Sequence, residues 1–372
     1  MKKLLWVIGA IMVIIAAYII GYTIRYSYDV RCDKMKVLPL SDTASTFYIS
    51  ERDYAGAMQH TVAPFVDSIG KTGSFTNGGH TIAYNMYLLD SPIASIVISH
   101  GFTERKEKYK EAIYYFLKMG YQVFIVDHYC HGNSSRYNSD SSLVYASDYQ
   151  VFVDDITYLI TNIEKPRSKG AKTILFGHSM GGGIAARTVE EHPDLVDGVI
   201  LSAPLMKLSS QGAPPEFLSD PITKLMILAG KGADYALGQR AYDPALDKIY
   251  DTSNPSSYCI PRGQYWNDLK VELSRHPNNG SSWQLASDFL AMTHDAVSKK
   301  NVQNIKIPIL LFQAEKDKWV DPKGHYEFAD HAQNIEFYFM KGAGHEIYFE
   351  KDKIIVPYYN KLHEFIDHVA RH

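Results

Sequence analysis

The chain has 372 residues, 46% of them hydrophobic and 21% charged, with a formal net charge of −3. That length suits one α/β domain carrying an insertion, and the composition is that of a globular protein with a sizeable core. The near-neutral balance, without a basic block, excludes nucleic acid as a partner. The cysteines Cys32, Cys130 and Cys259 form no C-x-x-C pair, which excludes a disulfide framework and a zinc ribbon. A Cys130–Cys259 bridge would require an oxidising compartment, and idle thiols are the simpler reading.

At the N-terminus, Lys2 and Lys3 precede an uncharged run over residues 4–24, close to the roughly 20 residues a helix needs to span a bilayer. A cleavable signal would have a shorter apolar region and a small-residue site after it. Here Ala16-Ala17 is followed by bulky Tyr18-Ile19-Ile20, and no small-residue lipobox precedes Cys32. The run is therefore read as an uncleaved single-pass membrane anchor over 1–24, with a tether over 25–50. Lysines and arginines flank it on both sides (Lys2 and Lys3 before, Arg25, Arg31 and Lys34 after). A short basic N-terminus stays inside while a long domain is exported. The domain is thus expected outside the cytoplasm, on the periplasmic side of the inner membrane in a Gram-negative cell.

The domain proper is expected over 51–372. Tyr54, Met58, Val62, Phe65, Val66 and Ile69 recur at helical spacing, predicting an amphipathic helix over 51–69. From there short apolar runs alternate with helical stretches. Strands are predicted over 80–89, 94–99, 121–126, 173–176, 198–201, 307–312 and 335–340. Helices are predicted over 105–119, 148–163, 180–191, 323–331 and 354–369. This alternation predicts a mostly parallel central sheet covered on both faces by helices. It stops over about 205–304, a stretch rich in Pro, Ser, Asn and aromatics. A loop of that length does not occur in a compact domain, so the segment is read as an inserted, mainly helical cap. Its apolar piece over 222–229, with Ile222, Leu225, Met226, Ile227 and Leu228, suits an acyl pocket, a membrane contact or packing inside the cap.

Gly177-His178-Ser179-Met180-Gly181 is a G-x-S-x-G pentapeptide between a predicted strand and a predicted helix, the context in which the motif presents a nucleophile. The tight turn forces close backbone contacts, so its flanks are glycines. A serine nucleophile needs a base, and the base an orienting acid. After Ser179 in the chain come Asp317, just past the strand at 307–312, and His345, just past the strand at 335–340. Both stand at strand C-termini, where such sheets place their sites. Asp321 is the alternative acid. His325 and His331 read as helix-surface residues, and His363, His368 and His372 as solvated ones. The two oxyanion donors are assigned to the backbone amides of Met180, after the nucleophile, and Phe102, in the loop after the strand at 94–99. Asp127-His128-Tyr129-Cys130-His131 carries two His and a Cys, as a zinc loop would. It offers no fourth ligand at a suitable spacing and is read as structural. No metal and no cofactor are expected.

Several of these pieces together resemble the lysophospholipase L2 and monoacylglycerol lipase branch of the α/β-hydrolases. They are SHGFTE at 99–104, YKEAIYYFLKMGYQVFIVDHYCHGNSS at 109–135, FVDDI at 152–156, GHSMGG at 177–182, LSAPL at 201–205, LFQAEKDKWVD at 311–321 and GAGHEIYFEKD at 342–352. The resemblance implies the α/β-hydrolase fold with a cap. It also implies a serine esterase acting on single-chain acyl lipids without a cofactor, and a triad carried onto Ser179, Asp317 and His345. The chain departs from the branch in two places: His-Gly-Phe-Thr lacks a second small residue in the oxyanion loop, and Tyr129-Cys130 stands where Arg-Gly is usual. The expected partners are a lipid or small-ester substrate and a membrane held through the N-terminal helix. A serine peptidase would call for an acidic cluster in the cap to hold a free amine. A non-catalytic binding protein would be signalled by a missing triad residue.

Overall fold

The short apolar runs become the middle of a nine-stranded sheet. The computed structural model describes residues 2–26, 33–41, 47–209, 215–253, 255–273 and 277–372. The N-terminal half begins with α1 (Lys2–Tyr26), β1 (Met35–Val37), α2 (Tyr54–Ala57), α3 (Ala63–Ile69), β2 (Gly70–Asn77) and β3 (His80–Tyr87). It continues through β4 (Ala94–Ser99), α4 (Lys110–Lys118), β5 (Tyr121–Val126), β6 (Leu143–Val144), α5 (Gln150–Tyr158), β7 (Lys172–His178), α6 (Met180–Glu191) and β8 (Gly198–Ser202). There follow α7 (Glu216–Leu228), α8 (Pro244–Asp247), α9 (Ile260–Glu272), β9 (Gly280–Ser281), α10 (Trp283–Val297) and α11 (Lys299–Val302). The chain closes with β10 (Ile309–Ala314), α12 (Pro322–His331), β11 (Ile335–Met340) and α13 (Asp352–Arg371).

The strand order is β1-β11-β10-β8-β7-β4-β5-β3-β2. From β1 to β5 every pairing is parallel, and the hairpin β2–β3 joins antiparallel at the other edge. All six residues of β4, of β5 and of β10 are buried, as strands covered on both faces must be. Alternate side chains feed two cores. Val97, Phe124, Leu175, Val199 and Leu311 point to one; Ile96, Ile125, Ile174, Ile200 and Leu310 point to the other. The chain builds outward from β4 to β5 in one direction and from β7 to β8 in the other. The switch point therefore lies between β4 and β7, where an open α/β sheet leaves a crevice at its strand C-termini.

Two expectations over the first fifty residues change. Residues 4–24 lie within α1, but among the described residues no helix is long and apolar enough to cross a membrane. The single-pass anchor, and the extracytoplasmic placement drawn from it, are set aside. Counting uncharged residues could not register what the helix packs against. The Tyr22 hydroxyl donates to Glu216 at 2.9 Å and its ring meets His294 edge-on at 6.4 Å, so α1 is held at its C-terminal end by α7 and α10. Within the segment read as a tether, Met35–Val37 is instead an edge strand, paired in parallel with β11; residues 27–32, including Cys32 and Arg31, and residues 42–46 lie outside the described residues.

Among the links between the 205–304 segment and the sheet domain is a fully buried guanidinium. Arg262 of α9 donates to Glu111 at 2.9 Å, to the Ile49 carbonyl at 2.7 Å and to the Glu350 carbonyl at 3.0 Å. It also pairs with Asp352 at 3.1 Å. Tyr54 and Tyr115 donate to the two oxygens of Glu111. Breaking a buried pair from one side strands the other charge, at a cost of roughly 3–5 kcal/mol. Arg262→Met should lower the urea midpoint accordingly, and adding Glu111→Met should restore part of the loss. Equal midpoints for wild type and Arg262→Met would show that the pair contributes nothing.

Candidate active site

Ser179 stands between β7 and α6 with φ 54° and ψ −121°. A non-glycine residue at positive φ costs about 1–3 kcal/mol and persists only where its surroundings enforce it. Here the enforcement is close backbone packing. A Cβ on Gly177 would meet the Gly181 carbonyl oxygen at 2.4 Å, and one on Gly181 would meet the Ser99 carbonyl oxygen at 2.1 Å. Only glycine permits this approach, which sets the first turn of α6 against the end of β4. The Met180 amide is thereby brought beside the loop that carries Phe102. Among the described residues neither the Met180 nor the Phe102 amide has a hydrogen-bond acceptor, so both donors are free at the switch point.

His345 follows β11 and Asp317 follows β10, adjacent strands in the sheet. His345 Nδ1 donates to Asp317 Oδ2 at 2.7 Å. The other carboxylate oxygen accepts the amides of Trp319 at 2.9 Å and Val320 at 3.0 Å. The proton on Nδ1 leaves Nε2 as the basic nitrogen. Burial favours the neutral imidazole, but the Asp317 carboxylate outweighs it and holds the His345 pKa above its ordinary value. Burial likewise works against the Asp317 charge, and the His345 ring with the two amides still keeps that carboxyl below its ordinary value. Asp321 is occupied elsewhere: it caps α12 by accepting the Lys323 amide. Ser179 makes no side-chain hydrogen bond among the described residues, but Ser179, His345 and Phe102 line one cavity of about 1020 Å³.

A set of buried polar groups supports the loop after β4. Glu104 accepts the Gly101 amide at 2.7 Å, the Tyr109 hydroxyl at 2.6 Å, the Lys108 ammonium at 2.7 Å and the Tyr348 hydroxyl at 2.9 Å. Burial alone would raise its pKa, but Lys108 and these donors carry it below the usual carboxylate range. Asp127, directly after β5, accepts the Lys106 amide at 2.9 Å and the Asn133 amide at 2.8 Å and pairs with the Lys106 ammonium. The 128–131 loop packs behind the same turn. His128 is hydrogen-bonded to Ser99 at 3.0 Å, and His131 accepts the Thr103 amide at 3.3 Å. Burial pushes the pKa of both rings well below ordinary, so they act as neutral hydrogen-bonding groups. Among the described residues no cluster of His, Cys, Asp or Glu is arranged to hold a metal ion. Cys130 and Cys259 are buried free thiols.

His178 packs beside His345, with ring centroids 4.8 Å apart, and burial pushes its pKa down to about 3. His325 is not the surface residue expected: it is buried and hydrogen-bonded to the Pro204 carbonyl at 2.8 Å. The face of α12 that carries it packs on the chain following β8, because a Cβ on neighbouring Gly324 would touch the Met206 backbone at 2.6 Å. His363 is 44% exposed, as a solvated residue would be, and also bonds the Tyr121 hydroxyl.

The family model "Serine aminopeptidase, S33" matches residues 90–352. The chain belongs to the serine aminopeptidase S33 family of hydrolases. It is 27% identical to lysophospholipase L2 of Escherichia coli over 288 residues, covering 74% of this chain and 80% of that protein. It is 26% identical to human monoglyceride lipase over 280 residues, covering 74% and 83%. The fold is shared with a soluble variant of monoglyceride lipase from Saccharomyces cerevisiae, solved with a substrate analog. That likeness has a TM-score of 0.62 at 19% identity and covers 81% of this chain and 95% of that one. This S33 hydrolase thus has the α/β-hydrolase fold.

The cavity of this S33 hydrolase has two unlike walls. Leu205, Leu208, Ile222, Phe289, Leu290 and Val320 make one apolar, and Phe102 packs edge-on against Phe289 at 5.6 Å. Of the apolar residues of α7, Ile222 lines the cavity and is itself 39% exposed, while Leu225 and Leu228 are more exposed still. The other wall carries Lys108, Arg240, Asp247, Trp266, Lys270 and Glu346. Reading the sequence missed this charged wall and the Arg262 clamp. Their residues are spread from Ile49 to Asp352 with no local spacing to link them. The one local signal was Glu104, inside the SHGFTE piece that was already singled out.

Proposed function

We propose that the chain hydrolyses the ester bond of single-chain acyl lipids through an acyl-enzyme on Ser179, with a lysophospholipid as preferred substrate. The observation that carries this reading is one cavity holding Ser179, His345 and Phe102 between an apolar and a charged wall. Ser179 Oγ attacks the ester carbonyl while His345 Nε2 takes its proton, and Asp317 orients and steadies the imidazolium. The amides of Phe102 and Met180 receive the charge that develops on the carbonyl oxygen. His345 then gives its proton to the departing glycerol oxygen. Water, deprotonated by the same nitrogen, releases the fatty acid. Hydrogen bonds of this kind are often long in a free enzyme and tighten when substrate seats. The helices of the 205–304 segment act as the cap, adding Ile222, Phe289 and Leu290 to the apolar wall and Arg240, Trp266 and Lys270 to the charged one.

A peptidase reading is less well supported. Of the acids lining the cavity, Glu346 and Asp247 are each paired, with Lys108 at 2.6 Å and Arg240 at 2.6 Å. A substrate amine would also meet the ammonium of Lys270. An acyl chain on the apolar wall gains roughly 0.8 kcal/mol per methylene buried, and retaining that gain in the transition state raises kcat/KM. Activity on p-nitrophenyl esters should therefore climb from acetyl to long-chain acyl groups. Fatty acid should be released from lysophosphatidylethanolamine and monoolein ahead of a diacyl phospholipid. A preference for acetyl or butyryl esters, with no fatty acid released from either single-chain lipid, would leave only a general serine esterase.

A further inference from the structure

We propose that Lys270 is the anchor of a headgroup subsite that binds the phosphodiester of a lysophospholipid, and that it sets the preference for this substrate over a monoacylglycerol. The inference rests on the single-chain lipid reading and adds to it the residue that recognises the headgroup.

Lys108, Arg240, Lys270 and Lys318 line the cavity, and Lys108 and Arg240 are paired with carboxylates. The Lys108 ammonium lies 2.7 Å from Glu104 and 2.6 Å from Glu346. The Arg240 guanidinium reaches both oxygens of Asp247, at 2.6 Å and 2.8 Å. Lys270 has no hydrogen bond or ion pair among the described residues; its ammonium lies 6.0 Å from the centroid of the Tyr242 ring. A partly buried cation without a partner is unfavourable, and burial lowers its pKa even with Asp247 and Glu346 nearby. An anion arriving in the cavity would remove that penalty.

The helix that carries Lys270 is also held in place. It lies on α9 two turns beyond Arg262, whose buried contacts hold the helix to the sheet domain. An ammonium on a clamped helix, lining the cavity that holds Ser179, is a preorganised anion contact rather than a wandering surface charge. The carboxylates of Asp247 and Glu346 line the same wall, which disfavours a dianion and favours a group with one negative charge. A phosphodiester followed by an ammonium has that charge pattern. The free glycerol end of a monoacylglycerol offers Lys270 no charge at all.

The test is the ratio of kcat/KM for lysophosphatidylethanolamine to kcat/KM for a monoacylglycerol of the same acyl chain. A charge-assisted contact to phosphate corresponds to a loss of about tenfold or more on truncation. Lys270→Ala should lower the ratio by about that factor, through the KM for the lysophospholipid, and Lys270→Glu should lower it further. Lys270→Arg should keep most of it. An unchanged ratio in both Lys270→Ala and Lys270→Glu, including a parallel fall on both lipids, overturns the subsite while leaving lipid hydrolysis standing. A wild-type protein that releases fatty acid from neither lipid overturns the lipid reading itself.

Discussion

Ser179→Ala should abolish ester hydrolysis, with turnover falling about a million-fold, the scale on which a serine nucleophile acts with its base as one unit. The folded state should tolerate the change. Ser179 makes no side-chain hydrogen bond among the described residues, and the strained turn is enforced by Gly177 and Gly181, which remain. The alanine side chain sits at the same positive φ with one atom fewer. The measurements are fatty-acid release from a long-chain ester and thermal unfolding of the same preparations. A thermal midpoint close to wild type with activity lost is the expected pair. Activity retained within a hundredfold would place the nucleophile elsewhere.

Asp317→Asn should cost roughly 10⁴-fold in kcat, because an amide at that position stabilises the wrong imidazole tautomer and no longer balances the imidazolium. Its pH profile carries a second signature. The base form of His345 is neutral, and the Asp317 carboxylate holds its pKa above the ordinary value of 6.5. The enzyme is therefore active above that pKa, and kcat/KM falls as the pH drops through it. The acid limb of the wild type should lie above pH 6.5. Removing the carboxylate lowers the pKa, so the limb of Asp317→Asn should move to lower pH on a much reduced plateau. Asp321→Asn should leave the limb in place, since that residue caps α12. A limb that moves with Asp321 and not with Asp317 would reassign the acid.

What could be read from the chain was whatever repeats locally. The runs ASIVIS and YQVFIV coincide with β4 and β5, and IPILLF overlaps β10; a short, mostly apolar run is a property of sequence alone. The pentapeptide around Ser179 is equally local, as is the placement of Asp317 and His345 just beyond two strands. Contacts between distant residues were not legible. Arg262 and Glu111 lie 151 positions apart, and nothing near either residue announces the other. Nothing near Lys270 in the chain marks it as lining the cavity with Trp266 and Glu346. Burial of a polar side chain by tertiary packing was equally hidden, as at His325. The N-terminal run shows the opposite failure: its composition was plain, but the contact between Tyr22 and Glu216 was not. Edge strands as short as Met35–Val37 carry too little pattern to be seen at all.

The central claim is that Ser179 becomes acylated in a site built for lipid esters. The most direct measurement is to treat the full-length protein with a long-chain alkyl fluorophosphonate, digest it, and locate the adduct by peptide mass spectrometry. Protection by lysophosphatidylethanolamine is followed in parallel. The expected result is a single adduct on the peptide containing Ser179, slowed by the lysophospholipid and absent from His345→Ala. An adduct on another serine, or no adduct in protein that is folded, would contradict it.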